Sequence, residues 1–227
     1  MSYELIETVQ GLSLSNTLNP KERPIRVDFT EKSLAYRRER VLHEGLIQAV
    51  KIKNQPNLRV LDTTTGLGTD AFLLACAGYE VVCLERNATL FALLEDGYKR
   101  AKQDPNLDVI LNRMTRLNED SLHYLERSNE TFDVIYCDPM FPDKKKSAAV
   151  KKEMKALQEI VETDDSLLPL LSLAKQKAAH KVVLKRPRLA PKIESPSFTL
   201  PFTSCRFDVY MTNLKPHSKI SPDGESV

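Results

Sequence analysis

The chain has 227 residues, of which 41% are hydrophobic and 28% charged, with a formal net charge of +2. That length suits one globular domain that buries its own core, and the scattered Cys76, Cys83, Cys137 and Cys205, with no CxxC pair, argue against a disulfide framework or a zinc knuckle. No stretch approaches the roughly 18 apolar residues of a membrane span, and the opening MSYELIETVQ carries acids where a secretion signal needs a basic, apolar leader, so a soluble cytoplasmic protein is expected.

Residues 1–54 read as an N-terminal extension: YELIETVQ (3–10) and PIRVDFT (24–30) as strands, then one helix through EKSLAYRRERVLHEGLIQAVKI (31–52). From Leu58 the rhythm is regular. LRVLD, DAFLLACAG, EVVCLE and ATLFALLEDGYKRAKQ read as strand, helix, strand and helix, the pattern of a parallel sheet covered by helices. It continues with LDVILNR (107–113) as a strand, NEDSLHYLERS (118–128) as a turn and short helix, and FDVIYCD (132–138) as a central strand. KKEMKALQEIVE (151–162) and SLLPLLSLAKQKAA (166–179) read as helices and HKVVLKRP (180–187) as a strand. SFTLPF and CRFDVYMT follow with no room for a helix between them, so they are expected to pair antiparallel. The core is thus expected over 55–214, with a polar tail, rich in Pro and Gly, over 215–227.

Three motifs carry chemistry. The first, VLDTTTGLGTDA, lies at a strand-to-helix junction, where Gly66 and Gly68 allow a tight turn and let backbone amides approach a ligand beyond Asp62. The second is Glu85, closing EVVCLE 23 residues after Asp62. A carboxylate at that strand tip accepts both hydroxyls of an adenosine ribose. Both motifs serve NAD and S-adenosylmethionine (SAM) equally. The third, Asp138-Pro139-Met140-Phe141-Pro142, separates them. The lone pair of an exocyclic nucleobase amine is delocalised into its ring. A carboxylate (Asp138) and a carbonyl (Pro139) that accept its hydrogens draw the nitrogen toward tetrahedral geometry, and an aromatic ring (Phe141) fixes the base by stacking.

Basic charge is uneven. Lys144, Lys145, Lys146, Lys151 and Lys152 form one run, and Lys181, Lys185, Arg186, Arg188 and Lys192 another, neither containing an acid. Removing these ten charges from the +2 total leaves the rest of the chain near −8. Two such runs beside the DPMFP motif point to a phosphate-bearing partner, with a solvated face as the bland alternative for either run alone. Arg37, Arg38 and Arg40 read equally as RNA contacts or as a basic helix face. His43, His123, His180 and His217 have no acid or cysteine at ligand spacing, so no metal is expected.

DTTTGLGTDAF, the ERN at 85–87, DPMFP with KKKSAAVKKEM, VVLKRP and RFDVY together resemble the RsmJ family, over about Arg26 to Tyr210. The resemblance implies a SAM-dependent enzyme that methylates the N2 amine of one guanine near the 3′ end of 16S ribosomal RNA, with the free rRNA or the small subunit as partner. It implies a class I methyltransferase fold, a mostly parallel seven-stranded Rossmann-like sheet with a C-terminal antiparallel hairpin. It also implies a SAM site that adds Thr69, Asp70, Arg86, Asp120, Ser121 and Asp138 to the residues above, with Asp120 and Ser121 readable as a helix N-cap as well. The five lysines of the first run, with Lys185, Arg186 and Arg188, would hold RNA phosphates. An amino-methyltransferase of DNA, a nicotinamide oxidoreductase and a non-catalytic RNA-binding module with a relic pocket are the rival readings.

Overall fold

The computed structural model describes residues 3–139 and 167–212. A hairpin comes first, β1 (Tyr3–Thr8) with β2 (Gly11–Asn16), forming its own two-stranded sheet. The segment PIRVDFT, expected as a strand, does not form one. It makes a single bridge, Leu14 with Ile25, because β1 and β2 close across a two-residue turn and a short loop costs less entropy than a long one. The helix expected over 31–52 is broken into α1 (Lys32–Glu39), a 3₁₀ turn and α2 (Gly45–Val50). Glu44 at the break is extended, with φ −63° and ψ 136°, and the Arg37 guanidinium grips its carboxylate at 3.1 and 2.8 Å.

The alternation from Leu58 forms as expected: β3 (Arg59–Asp62), α3 (Thr69–Cys76), β4 (Glu80–Leu84) and α4 (Ala88–Ala101). LDVILNR departs from expectation. It lies mostly in a helix, α5 (Pro105–Leu111), and the strand is the next segment, β5 (Met114–Leu117). Asp104 caps α5 by accepting from the Asn106 amide at 2.9 Å, Pro105 suits the first turn, and Leu107 and Leu111 are buried four residues apart, on one helical face. Then come α6 (Ser121–Arg127), β6 (Phe132–Cys137), α7 (Leu167–Lys177), β7 (Ala178–Pro187), β8 (Phe198–Pro201) and β9 (Cys205–Met211). The helix expected over 151–162 and the tail over 215–227 lie outside the described residues.

The main sheet has seven strands in the order β5-β4-β3-β6-β7-β9-β8, parallel except that β9 runs antiparallel to both its neighbours. Both faces are covered, and alternate residues serve them: Val134 and Tyr136 of β6 join one apolar cluster, Ile135 and Cys137 the other. Residues from both sides of position 54 share the first cluster, among them Val27, Phe29, Ile47, Phe72 and Leu94. The approach is close at Gly97, where a Cβ would lie 2.4 Å from Val27 Cγ1. Strand order reverses between β3 and β6, with β4 and β5 to one side and β7 to the other, and sheets of this kind bind ligands at that crevice.

Candidate active site at the strand carboxyl ends

The loop after β3 carries its glycines in the left-handed region, Gly66 at φ +56° and Gly68 at φ +80°. A Cβ on Gly68 would also meet Leu94 Cδ1 at 2.5 Å, so two independent constraints require glycine there. Glu85 sits one residue beyond β4, buried, accepting the Gly66 amide on Oε2 and the Asn87 amide on Oε1, each at 2.7 Å. Burial raises its pKa, against the pull of those two amides. The carboxylate therefore shapes the loop itself, while each of its oxygens retains a second lone pair.

The elements of the acceptor side are tied to the same loop. The Thr63 amide and its hydroxyl both donate to the Tyr136 carbonyl of β6, each at 3.0 Å. The Asp138 amide donates to Thr64 Oγ1 at 2.6 Å, and the Ser121 hydroxyl donates to the Thr63 carbonyl. Asp120 caps α6, accepting from the Leu122 and His123 amides at 2.9 and 3.3 Å, and lies 3.7 Å from Arg86 Nη1. The N-cap reading of Asp120 thus holds, and its ion pair with Arg86 joins the ends of β4 and β5.

Carboxylates crowd the centre. Asp62 is buried, and desolvation, reinforced by Asp70, Asp138 and Glu85, raises its pKa to about 8. Asp70, in the first turn of α3, accepts from Tyr136 Oη and from Lys185 Nζ, both at 2.7 Å. Burial disfavours its charge, but Lys185, Tyr136 and Arg37 outweigh it and hold its pKa below the usual value. Tyr136, fully buried, is kept a phenol by desolvation and by the charges of Asp70 and Asp138. Beside this centre a cavity of about 260 Å³ opens between residues 25–37 and the loop at Leu67 and Thr69.

Asp62 yields a stability test. Its folded pKa is raised, so between about 3.8 and about 8 the folded chain holds a proton that the unfolded chain releases, and stability falls as pH rises through that window. Asp62→Asn cannot ionise. Thermal melts of this variant are expected to lose less stability than wild type between about pH 5 and pH 8, and parallel slopes would contradict the assignment.

The structure gathers Asp62, Gly66, Gly68, Thr69, Asp70, Glu85, Arg86, Asp120, Ser121, Asp138 and Pro139 at one sheet edge, on β3, β4, β5 and β6 and their loops. Phe141, Lys144, Lys145, Lys146, Lys151 and Lys152 lie outside the described residues. The second basic run divides. Lys185 is not a surface charge, since its ammonium sits 2.7 Å from both Asp70 and Asp138. Arg186 is also turned in, only 6% exposed and donating to the Pro191 carbonyl at 3.1 Å. Lys181 is buried against the end of α2, donating to the Ala49 and Lys51 carbonyls at 2.8 Å, and desolvation lowers its pKa to about 8. Arg188 alone of the three residues expected to hold phosphates here is exposed. These side chains alternate out of a strand buried on both faces, so their burial follows from neighbours a linear sequence does not display. Tyr136, Thr64 and the inward role of Lys185 were not anticipated, although a lysine at the carboxyl end of a parallel strand was a usable signal.

The residue set suits a cationic nucleoside: a strand-tip carboxylate beside glycine-loop amides, with further acids clustered at the strand ends. Among the described residues no group of His, Cys, Asp and Glu could hold a metal ion, and no helix is long and apolar enough to cross a membrane. The family model of SAM-dependent methyltransferases matches residues 1–212. A ribosomal RNA small subunit methyltransferase J from Coxiella burnetii (strain RSA 331 / Henzerling II) is 41% identical over 96% of this chain and 85% of its own. One from Pseudomonas aeruginosa (strain LESB58) is 42% identical over 88% and 79%. Among solved structures, a SAM-dependent methyltransferase from Neisseria gonorrhoeae superposes with a TM-score of 0.73 at 29% identity, covering 92% of this chain and 83% of that one. With its sheet order, its SAM-type loop and these relatives, the chain belongs to the SAM-dependent methyltransferases, in the family of ribosomal RNA small subunit methyltransferase J.

Proposed function

We propose that this chain methylates the N2 amine of one guanine near the 3′ end of small-subunit (16S) ribosomal RNA. The observation that carries this reading is the placement of Asp138 and Pro139 directly after β6, at the strand-order reversal, with the Asp138 amide anchored on Thr64 of the cofactor loop. The relatives' name, ribosomal RNA small subunit methyltransferase J, supports the substrate class. SAM supplies a methyl group made electrophilic by its sulfonium.

The chain's residues do the rest. Glu85 and the Gly66–Gly68 loop receive the nucleoside end of the donor, with Arg86, Asp120 and Ser121 beside them. The Asp138 carboxylate and the Pro139 carbonyl accept the two hydrogens of the guanine amine, turning its lone pair toward the methyl group. Phe141 stacks on a base flipped from its neighbours. The runs Lys144–Lys146 and Lys151–Lys152, with the exposed Arg188, hold backbone phosphates, and the N-terminal segment forms the substrate side.

The test is transfer of labelled methyl from SAM to small-subunit rRNA from cells lacking the protein, followed by mapping of the modified nucleotide. One methyl on a guanine N2 in the 3′ region is expected. Label on DNA would select the DNA amino-methyltransferase, and RNA binding without SAM binding a relic pocket. In the same system, replacing Lys145 and Lys151 together is expected to lower the slope of log affinity against log salt by about 1.4, near 0.7 per single-stranded phosphate, with SAM affinity unchanged. An identical slope would move the RNA surface to Arg37, Arg38 and Arg40.

A further inference from the structure

We propose that Lys185 is a positioning residue of methyl transfer, its ammonium holding the carboxylates of Asp138 and Asp70 as a fixed pair at the acceptor nitrogen. The inference rests on the reading of Asp138 as the acceptor of the amine hydrogens. Its basis is geometric: Lys185 Nζ lies 2.7 Å from Asp138 Oδ2 and 2.7 Å from Asp70 Oδ2, from a side chain only 27% exposed. Both strands reach this point one residue past the Cys137–Leu184 pair, so the parallel register of β6 and β7 sets the lysine beside the aspartate.

The surroundings say why a cation is there. Asp62 of β3, Asp70 of α3, Glu85 just after β4 and Asp138 just after β6 converge on the site, Tyr136 faces Asp70, Arg37 of α1 adds its charge to the group, and the Cys205 thiol of β9 lies within its field. Acids this close oppose one another's ionisation, and an acid that takes up a proton exchanges an acceptor for a donor. Lys185 offsets that repulsion where Asp138 must remain an acceptor. Burial disfavours the lysine's charge, yet the two aspartates overcome this and hold its pKa well above that of an ordinary lysine. It therefore does not take the reaction proton. The amine lone pair forms the new N–C bond as the C–S pair returns to sulfur, and the nitrogen then releases its proton to water. The donor also carries a carboxylate that an ammonium could hold, so SAM affinity in a variant without the charge separates positioning from cofactor binding.

The experiment compares wild type, Lys185→Met, Lys185→Arg and Asp138→Ala, full length, in single-turnover methylation of small-subunit rRNA between about pH 5 and pH 9, with SAM affinity by calorimetry and thermal melts alongside. Lys185→Met is expected to slow transfer about a hundredfold. It should also move the acidic limb of the rate profile upward by about one pH unit, and bind SAM as tightly as wild type or tighter. Lys185→Arg is expected to return the limb to its wild-type position. If the methionine variant melts at room temperature, Lys185→Gln replaces it, keeping donor groups without the charge. A lowered rate with an unmoved limb, or weakened SAM binding, would reduce Lys185 to a structural or cofactor contact and overturn the proposal. Full turnover in Asp138→Ala would instead remove the reading on which it rests, and the two failures are distinct.

Discussion

Asp138→Ala is expected to fold and bind SAM while losing methyl transfer by about a hundred- to a thousandfold, the roughly 3–4 kcal/mol that one preorganised transition-state contact contributes. The backbone side of this prediction is firm, because the amide of residue 138 donates to Thr64 Oγ1 whatever its side chain. The side chain is where the chemistry lies. In the proposed function its carboxylate accepts a hydrogen from the amine and stabilises the positive charge that grows on nitrogen as the methyl group arrives. Single-turnover rates at saturating SAM are the measurement, since a loss confined to affinity would disappear there. Near wild-type turnover in a folded variant would sink the mechanism.

The second large effect is expected at Glu85. Glu85→Ala should weaken SAM binding about ten- to a hundredfold, corresponding to a charged acceptor of roughly 1.5–3 kcal/mol, with much less effect on RNA binding. The structure adds a further cost. The carboxylate also satisfies the buried amide of Gly66 and the half-buried amide of Asn87, each at 2.7 Å, so alanine leaves both without this acceptor and the variant should melt below wild type. Glu85→Gln is not a full rescue. Its amide NH₂ would point at one of those N–H groups, donor against donor. Calorimetric titration with SAM decides the matter, and equal affinity in Glu85→Ala would place the ribose elsewhere.

The strand-helix alternation from Leu58, the glycine loop, the acid ending EVVCLE and the Asp138-Pro139 pair were legible because each is a local pattern. Apolar runs bounded by turn residues report strands, and a positive-φ turn demands glycine. Where two local patterns competed, sequence was insufficient. LDVILNR has the apolar content of a strand, but the Asp104–Pro105 start and the Leu107–Leu111 spacing favour a helix, and the ladder beside β4 is taken by Met114–Leu117 instead. PIRVDFT lost its strand to a hairpin formed nearer in the chain.

Charge was the least legible property of all. A run of lysines and arginines gives the same net charge whether its members face water or the interior, and HKVVLKRP held three that the fold turns inward: Lys181, Lys185 and Arg186. Lys185 meets Asp138 across 47 residues and Asp70 across 115. The amino-acid sequence by itself determined the class of sheet and the placement of the glycine loop, Glu85, Asp138 and Pro139 at its strand ends. Only the tertiary structure decided which cation stands among the site's acids. The physical reason is that an ion pair depends on which strands become neighbours, and the crossover from β6 to β7, rather than anything local to Lys185, makes these two strands adjacent.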